Sequence, residues 1–211
     1  MILTGSEIKK EIKAGNISIS DYDENQVNPN SYNLRLADEL IVYTADELDM
    51  KKQNETRTFK IPPEGYVLEP GKLYLGRTYE RVQTDRFASK IDGRSSVGRL
   101  GIFVHVTAGF IDIGWDGYLT FEIHVIKPIR VYPMVKISQI SFYEVKGDRS
   151  ITYKNAGKYY GNHGTQASML FKDFEITSNS WVKTDKESKE DSCAKTACNT
   201  KVKCCKSKTK K

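Results

Sequence analysis

The clearest pattern of apolar and polar positions lies in the middle of the chain. From residue 118 to residue 125 every second side chain is apolar. The apolar positions are Leu119, Phe121, Ile123 and Val125, and the polar positions between them are Thr120, Glu122 and His124. Successive side chains of a β-strand point to opposite faces, so this pattern predicts a strand with one buried and one polar face.

A helical spacing is found near the N-terminus. Thr4-Gly5-Ser6-Glu7 is a capping-box pattern, Ile8 and Ile12 follow four residues apart, and Gly15 is a helix stop signal. We therefore predict a short amphipathic helix over residues 5–14. A helical turn at 95–100 is the second helix that we predict.

The remaining apolar runs are short and are separated by turns such as Pro62-Pro63-Glu64-Gly65. Near Ser138-Gln139 the alternating apolar positions shift by one residue, from Val135 and Ile137 to Ile140 and Phe142, which predicts a β-bulge. Many short strands at this spacing favour a β-barrel or sandwich. The predicted strands cover residues 32–36, 39–44, 57–61, 65–69, 72–79, 87–91, 102–107, 118–126 and 135–145.

Two C-terminal stretches have no apolar period. Residues 149–168 are rich in glycine, asparagine and tyrosine, and a segment of that length without structure is usually functional or disordered. Residues 183–211 also lack aromatic side chains, which is typical of disorder. We predict a folded domain over residues 1–176 and a disordered Lys/Cys-rich tail over 177–211.

Composition adds to this division. The 211 residues carry a net charge of +6, and all of that excess lies in residues 183–211, which hold ten lysines and four acids. Residues 1–182, here called the body, contain no cysteine, which suits the cytoplasm. No apolar run approaches the ~20 residues of a membrane span. The N-terminus lacks the apolar core of a signal peptide. These features predict a cytoplasmic protein without a membrane partner.

The tail offers two kinds of partner. Its lysines would give weak, salt-sensitive binding to polyanions, although a solubilising extension is the favoured interpretation. Its cysteines lack the paired C-x2-C spacing of structural zinc sites, which argues against metal binding. They are Cys193, Cys198, Cys204 and Cys205.

The first candidate site is the stretch from Gly93 to Gly101, GRSSVGRLG. If Ser95 or Ser96 caps a short helix that Gly101 ends, the free N–H groups of its first turn can receive a phosphate. Arg94 and Arg99 could then bind the phosphate oxygens. On spacing alone, an ordinary polar turn is the slightly favoured alternative.

The second candidate site is Glu122, on the polar face of the predicted strand. A carboxylate in a partly dry pocket would have its pKa raised towards neutrality, as a general acid or base requires. The alternative is an exposed glutamate on a solvated face. Asp112 could accept hydrogen bonds from a sugar hydroxyl, or it is a turn residue before Gly114.

These motifs together resemble the dCTP deaminase family of the dUTPase-like all-β superfamily. The resemblance rests on GRSSVGRLG, HVTAGFIDIGW and LTFE, with further matches in MILTGSEIKKEI, NPNSYNLRL, LEPGKLYLGRT and GKYYGNHGTQAS. It covers residues 1–174. It implies a mainly β fold, a distorted jelly-roll β-barrel with a short N-terminal helix. It also implies a homotrimer whose active sites are shared between neighbouring subunits.

The resemblance also assigns roles. Glu122 matches the catalytic glutamate, which activates water for attack on C4 of cytosine and passes protons to the leaving ammonia. Asn162 and Tyr160 both stand where the family commonly has glutamine. The residues matched to substrate-binding positions are Arg94, Ser95, Ser96 and Arg99 for the triphosphate, Asp112 for the nucleoside, Thr120 and Phe121 beside the base, Gln139, and Tyr153, Lys158 and Asn162 of the covering segment.

The metal chemistry follows from what the body lacks. Most nucleobase deaminases bind zinc through an H-x-E…P-C-x-x-C signature. None of His105, His124 and His163 is followed by glutamate two residues later, and residues 1–182 contain no cysteine. The sequence thus excludes a zinc deaminase of that type. Mg²⁺ is expected to enter with the substrate triphosphate.

The product stays open at this point. Some family members release dUTP, whereas others also hydrolyse the triphosphate and release dUMP. The TAGFID motif at 107–112 and Gln139 look more like the dUMP-forming branch, but other stretches also resemble plain deaminases. Our minimum prediction is deamination of dCTP to dUTP, which supplies dUMP for dTMP synthesis. Besides dCTP, we expect the protein to bind dUTP or dTTP, as product or inhibitor. The alternatives are a bifunctional dUMP-forming enzyme, a dUTP diphosphatase, and a non-catalytic regulatory trimer that binds nucleotide.

Overall fold

The computed structural model describes residues 1–175. Strands dominate, and the helices are short, as predicted. The helices are α1 (Gly5–Lys13), α2 (Ser95–Gly98) and α3 (Tyr153–Ala156), with a 3-10 turn at Glu24–Gln26. The strands are β1 (Ile17–Ile19), β2 (Tyr32–Tyr43), β3 (Thr56–Lys60), β4 (Tyr66–Leu68), β5 (Tyr74–Thr84), β6 (Phe87–Gly93), β7 (Ile102–Phe103), β8 (Phe110–Ile111), β9 (Trp115–Val125), β10 (Ile129–Val131) and β11 (Lys136–Glu144).

The chain divides into two compact units. The first comprises Met1–Leu48 and Asn54–Ser168, and the second comprises Asp49–Gln53 and Met169–Lys211. In the second unit, residues 171–175 are helical, and the ammonium group of Lys51 lies 5.7 Å from the ring centroid of Phe174. The tail predicted at 177–211, with its cysteines and its polyanion binding, lies outside the described residues.

The first unit is built on one curled antiparallel sheet of nine strands. Its main path runs β7-β9-β5-β2-β11-β6-β8, with β1 added to β5 and β3 added to β2. A separate two-stranded sheet pairs β10 with β4. Within the described residues, no helix is long and apolar enough to cross a membrane.

The apolar pattern explains how the central strands are buried. Along β9 the side chains alternate between buried and partly exposed, as the sequence predicts. Leu119, Phe121 and Ile123 enter the core, and their neighbours face outward. The N-terminal helix is confirmed as well, because the Glu7 N–H donates to the hydroxyl of its N-cap Thr4 at 3.3 Å.

Some strand boundaries differ from the prediction. The runs at 32–36 and 39–44 form the single strand β2, because a register shift between Leu36 and Leu40 in its pairing with β5 absorbs the change of phase. The predicted bulge in β11 is confirmed by a register shift between Lys136 and Ser138. Strands β1, β8 and β10 have two or three residues, too few to show a period.

A buried ion pair joins β2 to β5. The carboxylate of Glu80 is fully buried, and its Oε1 lies 2.5 Å from Nε of Arg35. Its Oε2 accepts the Arg35 backbone N–H at 2.9 Å, and Gln26 Nε2 donates to Oε1 at 3.3 Å. A buried charge is tolerated when its hydrogen bonds are satisfied in this way.

We expect the substitution Glu80→Ala to lower the free energy of unfolding by about 3–5 kcal/mol, because it leaves Arg35 without its buried partner. Urea denaturation measures the change. Glu69→Ala is the control, since it removes an ion pair with Lys72 in which both side chains are more than half exposed. Equal losses in the two variants would contradict this view of the Glu80 pair.

Candidate active site

A cavity of about 590 Å³ opens on the polar face of β9. This volume lies within the range of small-molecule sites, which are mostly apolar with a few placed polar groups. Apolar side chains of the lining include Leu73, Leu75, Phe110, Trp115 and Leu119. Its polar side chains include His105, Asp112, Thr120, Glu122, Tyr153, Asn162 and Gln166.

Glu122 is fixed in the cavity wall by the strand that carries it. Its neighbours Phe121 and Ile123 are anchored in the core, so the carboxylate must point to the opposite face. The loop after β7 folds back onto the same strand, and the Glu122 N–H donates to the Val104 carbonyl at 3.0 Å. The Val106 N–H donates to Glu122 Oε2 at 3.3 Å.

The imidazole of His105 faces this carboxylate. Its buried Nδ1 lies 3.6 Å from Glu122 Oε2, which is an ion-pair distance but longer than a hydrogen bond. The imidazole lowers the pKa of Glu122, the backbone N–H groups of Val106 and Thr107 act in the same direction, and burial only partly opposes them. The predicted upward shift of this pKa is therefore wrong for the ligand-free chain, because the imidazole and the two backbone N–H groups together outweigh burial.

The far end of the cavity is formed by Trp115 and Tyr153, whose ring centroids lie 5.3 Å apart. Burial raises the pKa of the Tyr153 phenol. Just before Trp115 the backbone passes close to Thr152, since a Cβ at Gly114 would lie 2.8 Å from the Thr152 side chain. Asp112 is exposed and lies on the cavity lining.

Residues 157–168, here called the strap, form another wall. The strap lies along the polar face of the sheet, where Gln166 N–H donates to Thr120 Oγ1 at 3.2 Å and Ser168 N–H donates to the Tyr43 hydroxyl at 2.9 Å. The sequence predicts that residues 149–168 are either functional or disordered. The strap is in fact held by specific contacts, although it contains no strand.

The first candidate site, the stretch from Gly93 to Gly101, forms the predicted helical turn, but its N-cap differs from the prediction. The N-cap is Arg94, which has extended dihedral angles and no side-chain cap bond, so neither serine caps α2. Gly101 ends the turn with a φ of +76°, as predicted. Ser95, Ser96 and Arg99 are exposed, and Arg94 Nη1 donates to the Lys136 carbonyl at 3.1 Å.

The structure brings only some of the predicted residues together. Asp112, Thr120, Glu122, Tyr153 and Asn162 line the cavity. The other predicted residues lie outside the cavity lining of their own chain. The Phe121 side chain is in the core, Gln139 Oε1 is 2.9 Å from Ser31 Oγ, and Lys158 is exposed. The rest lie on or beside α2, and they are Arg94, Ser95, Ser96 and Arg99.

Among the lining residues that sequence reasoning missed are His105, Trp115 and Gln166. His105 was considered only as a zinc ligand, although it stands at the start of the HVTAG motif. Trp115 belongs to the quoted HVTAGFIDIGW stretch, and Gln166 to GKYYGNHGTQAS, so each lay in a motif that carried the resemblance. Their position in those motifs was the available signal.

A family model described as dCTP deaminase-like matches residues 2–145. The chain belongs to the dCTP deaminase-like family. A protein of Hathewaya histolytica named dCTP deaminase, dUMP-forming, is 52% identical over 175 residues, covering 83% of this chain and 100% of that protein. One of the same name from Leptospira biflexa is 55% identical over 175 residues, covering 83% and 99%.

The fold is shared with a solved family member as well. The crystal structure of 2'-deoxycytidine 5'-triphosphate deaminase from Agrobacterium tumefaciens matches with a TM-score of 0.55 at 25% identity. The match covers 68% of this chain and 48% of that one. The predicted family and the predicted mainly β fold with a short N-terminal helix are both confirmed.

We expect His105→Ala to raise the pKa of Glu122, because the imidazole is the largest cause of its lowering. A ¹³C NMR titration of the Glu122 carboxyl measures the shift. The lowered pKa also means that ionised Glu122 stabilises the fold above its unfolded pKa, and that this contribution is lost as the pH falls through the folded value. Exposed His163→Ala is the control, and an unchanged Glu122 titration in His105→Ala would contradict the assignment.

Proposed function

We propose that this protein is a bifunctional dCTP deaminase that converts dCTP and two water molecules to dUMP, ammonia and pyrophosphate. The observation that carries the proposal is the carboxylate of Glu122 in the wall of a mostly apolar cavity of nucleoside size, in a chain of this family. The cavity can exclude bulk water from the base while it keeps one anionic group beside it.

Glu122 acts first as a base. Its pKa is lowered in the ligand-free chain, so at neutral pH it is present as the carboxylate that can take a proton from water. The resulting hydroxide attacks C4 of cytosine, and the proton returns to the amino group, which leaves as ammonia. Bound substrate displaces water from the cavity, and this desolvation raises the pKa of Glu122 and favours the proton return.

The rest of the lining holds the nucleoside. Thr120 is two residues from Glu122 on the same strand face, and in this proposal it contacts the base. Trp115 and Tyr153 offer an aromatic wall for the sugar, with Asp112 placed to accept a hydrogen bond from its hydroxyl. In this proposal no zinc takes part, because Glu122 activates the water.

The triphosphate is held by α2 of a neighbouring subunit in a homotrimer. In support, the exposed side chains of α2 lie outside their own chain's cavity. Beside α2, Leu100, Phe103 and Ile126 are 63%, 50% and 60% exposed, and such apolar exposure is typical of a surface that becomes an interface. Mg²⁺ enters bound to the substrate's phosphates, as is usual for this ion.

We favour dUMP over dUTP as the product. The relatives from Hathewaya histolytica and Leptospira biflexa are named dUMP-forming, and they match almost their whole length. The TAGFID motif and Gln139 agree with that branch. Our minimum prediction of dUTP as the final product has no support from these names. We further propose that the enzyme acts in the cytoplasm, as its cysteine-free body suggests.

A complementation experiment tests the catalytic assignment and the shared site together. Glu122→Gln and Arg99→Glu should each release almost no ammonia from dCTP, since one removes the base and the other repels the triphosphate. Trimers assembled from an equal mixture should regain about a quarter of wild-type activity, because half of the subunits keep Glu122 and half of their neighbours keep Arg99.

Exposed Glu64→Gln mixed with Arg99→Glu is the control for this experiment. Activity in Glu122→Gln alone would refute the catalytic assignment. Two inactive variants that regain nothing when mixed, despite forming mixed trimers, would refute the shared site.

The product is tested by measuring ammonia and pyrophosphate in the same reaction with dCTP. We expect equal amounts of the two, with dUMP as the nucleotide recovered. Release of ammonia without pyrophosphate would show that the reaction ends at dUTP. dCMP is the matched control, because it has the same base and sugar and can release no pyrophosphate.

A further inference from the structure

The strap is joined to β9 by a side chain that binds both backbone groups of one residue. Asn162 Oδ1 accepts the Tyr118 N–H at 2.8 Å, and Asn162 Nδ2 donates to the Tyr118 carbonyl at 3.0 Å. The preceding residue adds a third bond, from Gly161 N–H to the Asp116 carbonyl at 2.8 Å. The amide of Asn162 thus replaces a paired strand residue at this point.

Gly117 makes room for this contact. A Cβ at position 117 would lie 2.3 Å from Asn162 Oδ1, far inside van der Waals contact, and the φ of +155° there also favours glycine. Asparagine and glycine therefore fit each other as a pair. The longer glutamine that is common in the family at position 162 would have to place its amide differently.

The amide of Asn162 has little hydrogen-bonding capacity left for a ligand. Its second Nδ2 hydrogen is directed at the Gly164 carbonyl at 3.5 Å, while the first is bonded to Tyr118. Both donors are thus engaged within the chain. One lone pair of Oδ1 is used as well, by the Tyr118 N–H.

The paired hydrogen bonds between Asn162 and Tyr118, here called the clamp, lie at one end of a row of contacts that fixes the strap. Further along, Thr165 N–H donates to Glu39 Oε1 on β2 at 3.2 Å, and Gln166 N–H donates to Thr120 Oγ1 at 3.2 Å. The strap in turn supplies Tyr159 and Gln166 to the cavity lining. The position of these two side chains in the cavity that Glu122 also lines depends on how the strap is held.

We propose that Asn162 is a positioning residue, which with Gly117 fixes the strap over β9 before substrate arrives and does not contact the nucleotide through its own amide. The clamp is a property of the ligand-free chain. Its effect on the reaction, the presentation of Tyr159 and Gln166 to the nucleotide, rests on the proposed function. A site prepared in this way avoids the cost of ordering the strap at each binding event.

Hydrogen exchange on the full-length chain without nucleotide tests the clamp directly. The variant Asn162→Gln keeps the amide but lengthens it by one methylene, so it should loosen the strap. We expect exchange of the Tyr118, Gly161 and Gln166 amides to become about tenfold faster, as for the loss of about one net hydrogen bond. The KM for dCTP should rise while kcat changes little, because the strap positions substrate and takes no part in proton transfer.

Asn162→Asp is the second variant, since its carboxylate would repel the Tyr118 carbonyl, and it should loosen the strap at least as much. The matched control is His163→Asp, which places the same charge on an exposed neighbouring position of the strap and should leave exchange unchanged. If Asn162 binds the nucleotide instead, Asn162→Gln will keep or improve the KM and leave exchange unchanged, and the proposal is overturned.

The clamp and the proposed function fail in different ways. Unchanged exchange in both Asn162 variants refutes the clamp, whatever the enzyme does. Absence of dCTP turnover in the wild-type chain refutes the proposed function, while the exchange experiment still decides whether the clamp exists.

Discussion

The two-faced strand β9 is the constraint on which the rest of the site depends. On its apolar face, Phe121 and Ile123 are completely buried in the core. Rotating or sliding the strand by one residue would bury Glu122 and expose these side chains, at a cost of several kcal/mol. The position of the carboxylate is therefore set by the hydrophobic core, and the loop and the strap are fitted around it.

The electrostatics of Glu122 are local and come from the chain itself. The loop that begins with His105 turns its imidazole and two backbone N–H groups towards the carboxylate, which keeps it ionised in spite of partial burial. In the proposed reaction, an ionised base is ready for the first proton transfer, and the second transfer requires a higher pKa. Substrate binding would supply that change by removing water, so that one residue serves both steps.

Much of this architecture could be predicted from local patterns. Alternation gave the buried face of β9, a capping box gave α1, and a phase change gave the bulge in β11. The prediction failed where the decisive partner is distant in sequence. The pKa of Glu122 depends on a loop 16 residues earlier, and no local pattern shows that the Asn162 amide bonds to Tyr118. The cap of α2 was missed because Arg94 takes the N-cap position without using its side chain.

The charges of the cavity agree with the proposal that one chain holds only part of a nucleotide site. Asp112 and Glu122 are both acidic and both line it, and the apolar side chains around them suit a base and a sugar. A triphosphate placed among these carboxylates would be repelled, so its phosphates must project out through the mouth. Neither arginine beside α2 lines this cavity: Arg99 is exposed, and Arg94 is partly buried against the Lys136 carbonyl. A second subunit that brings α2 to the mouth would complete the charge balance, and the exposed apolar side chains next to α2 give that subunit a surface to pack against.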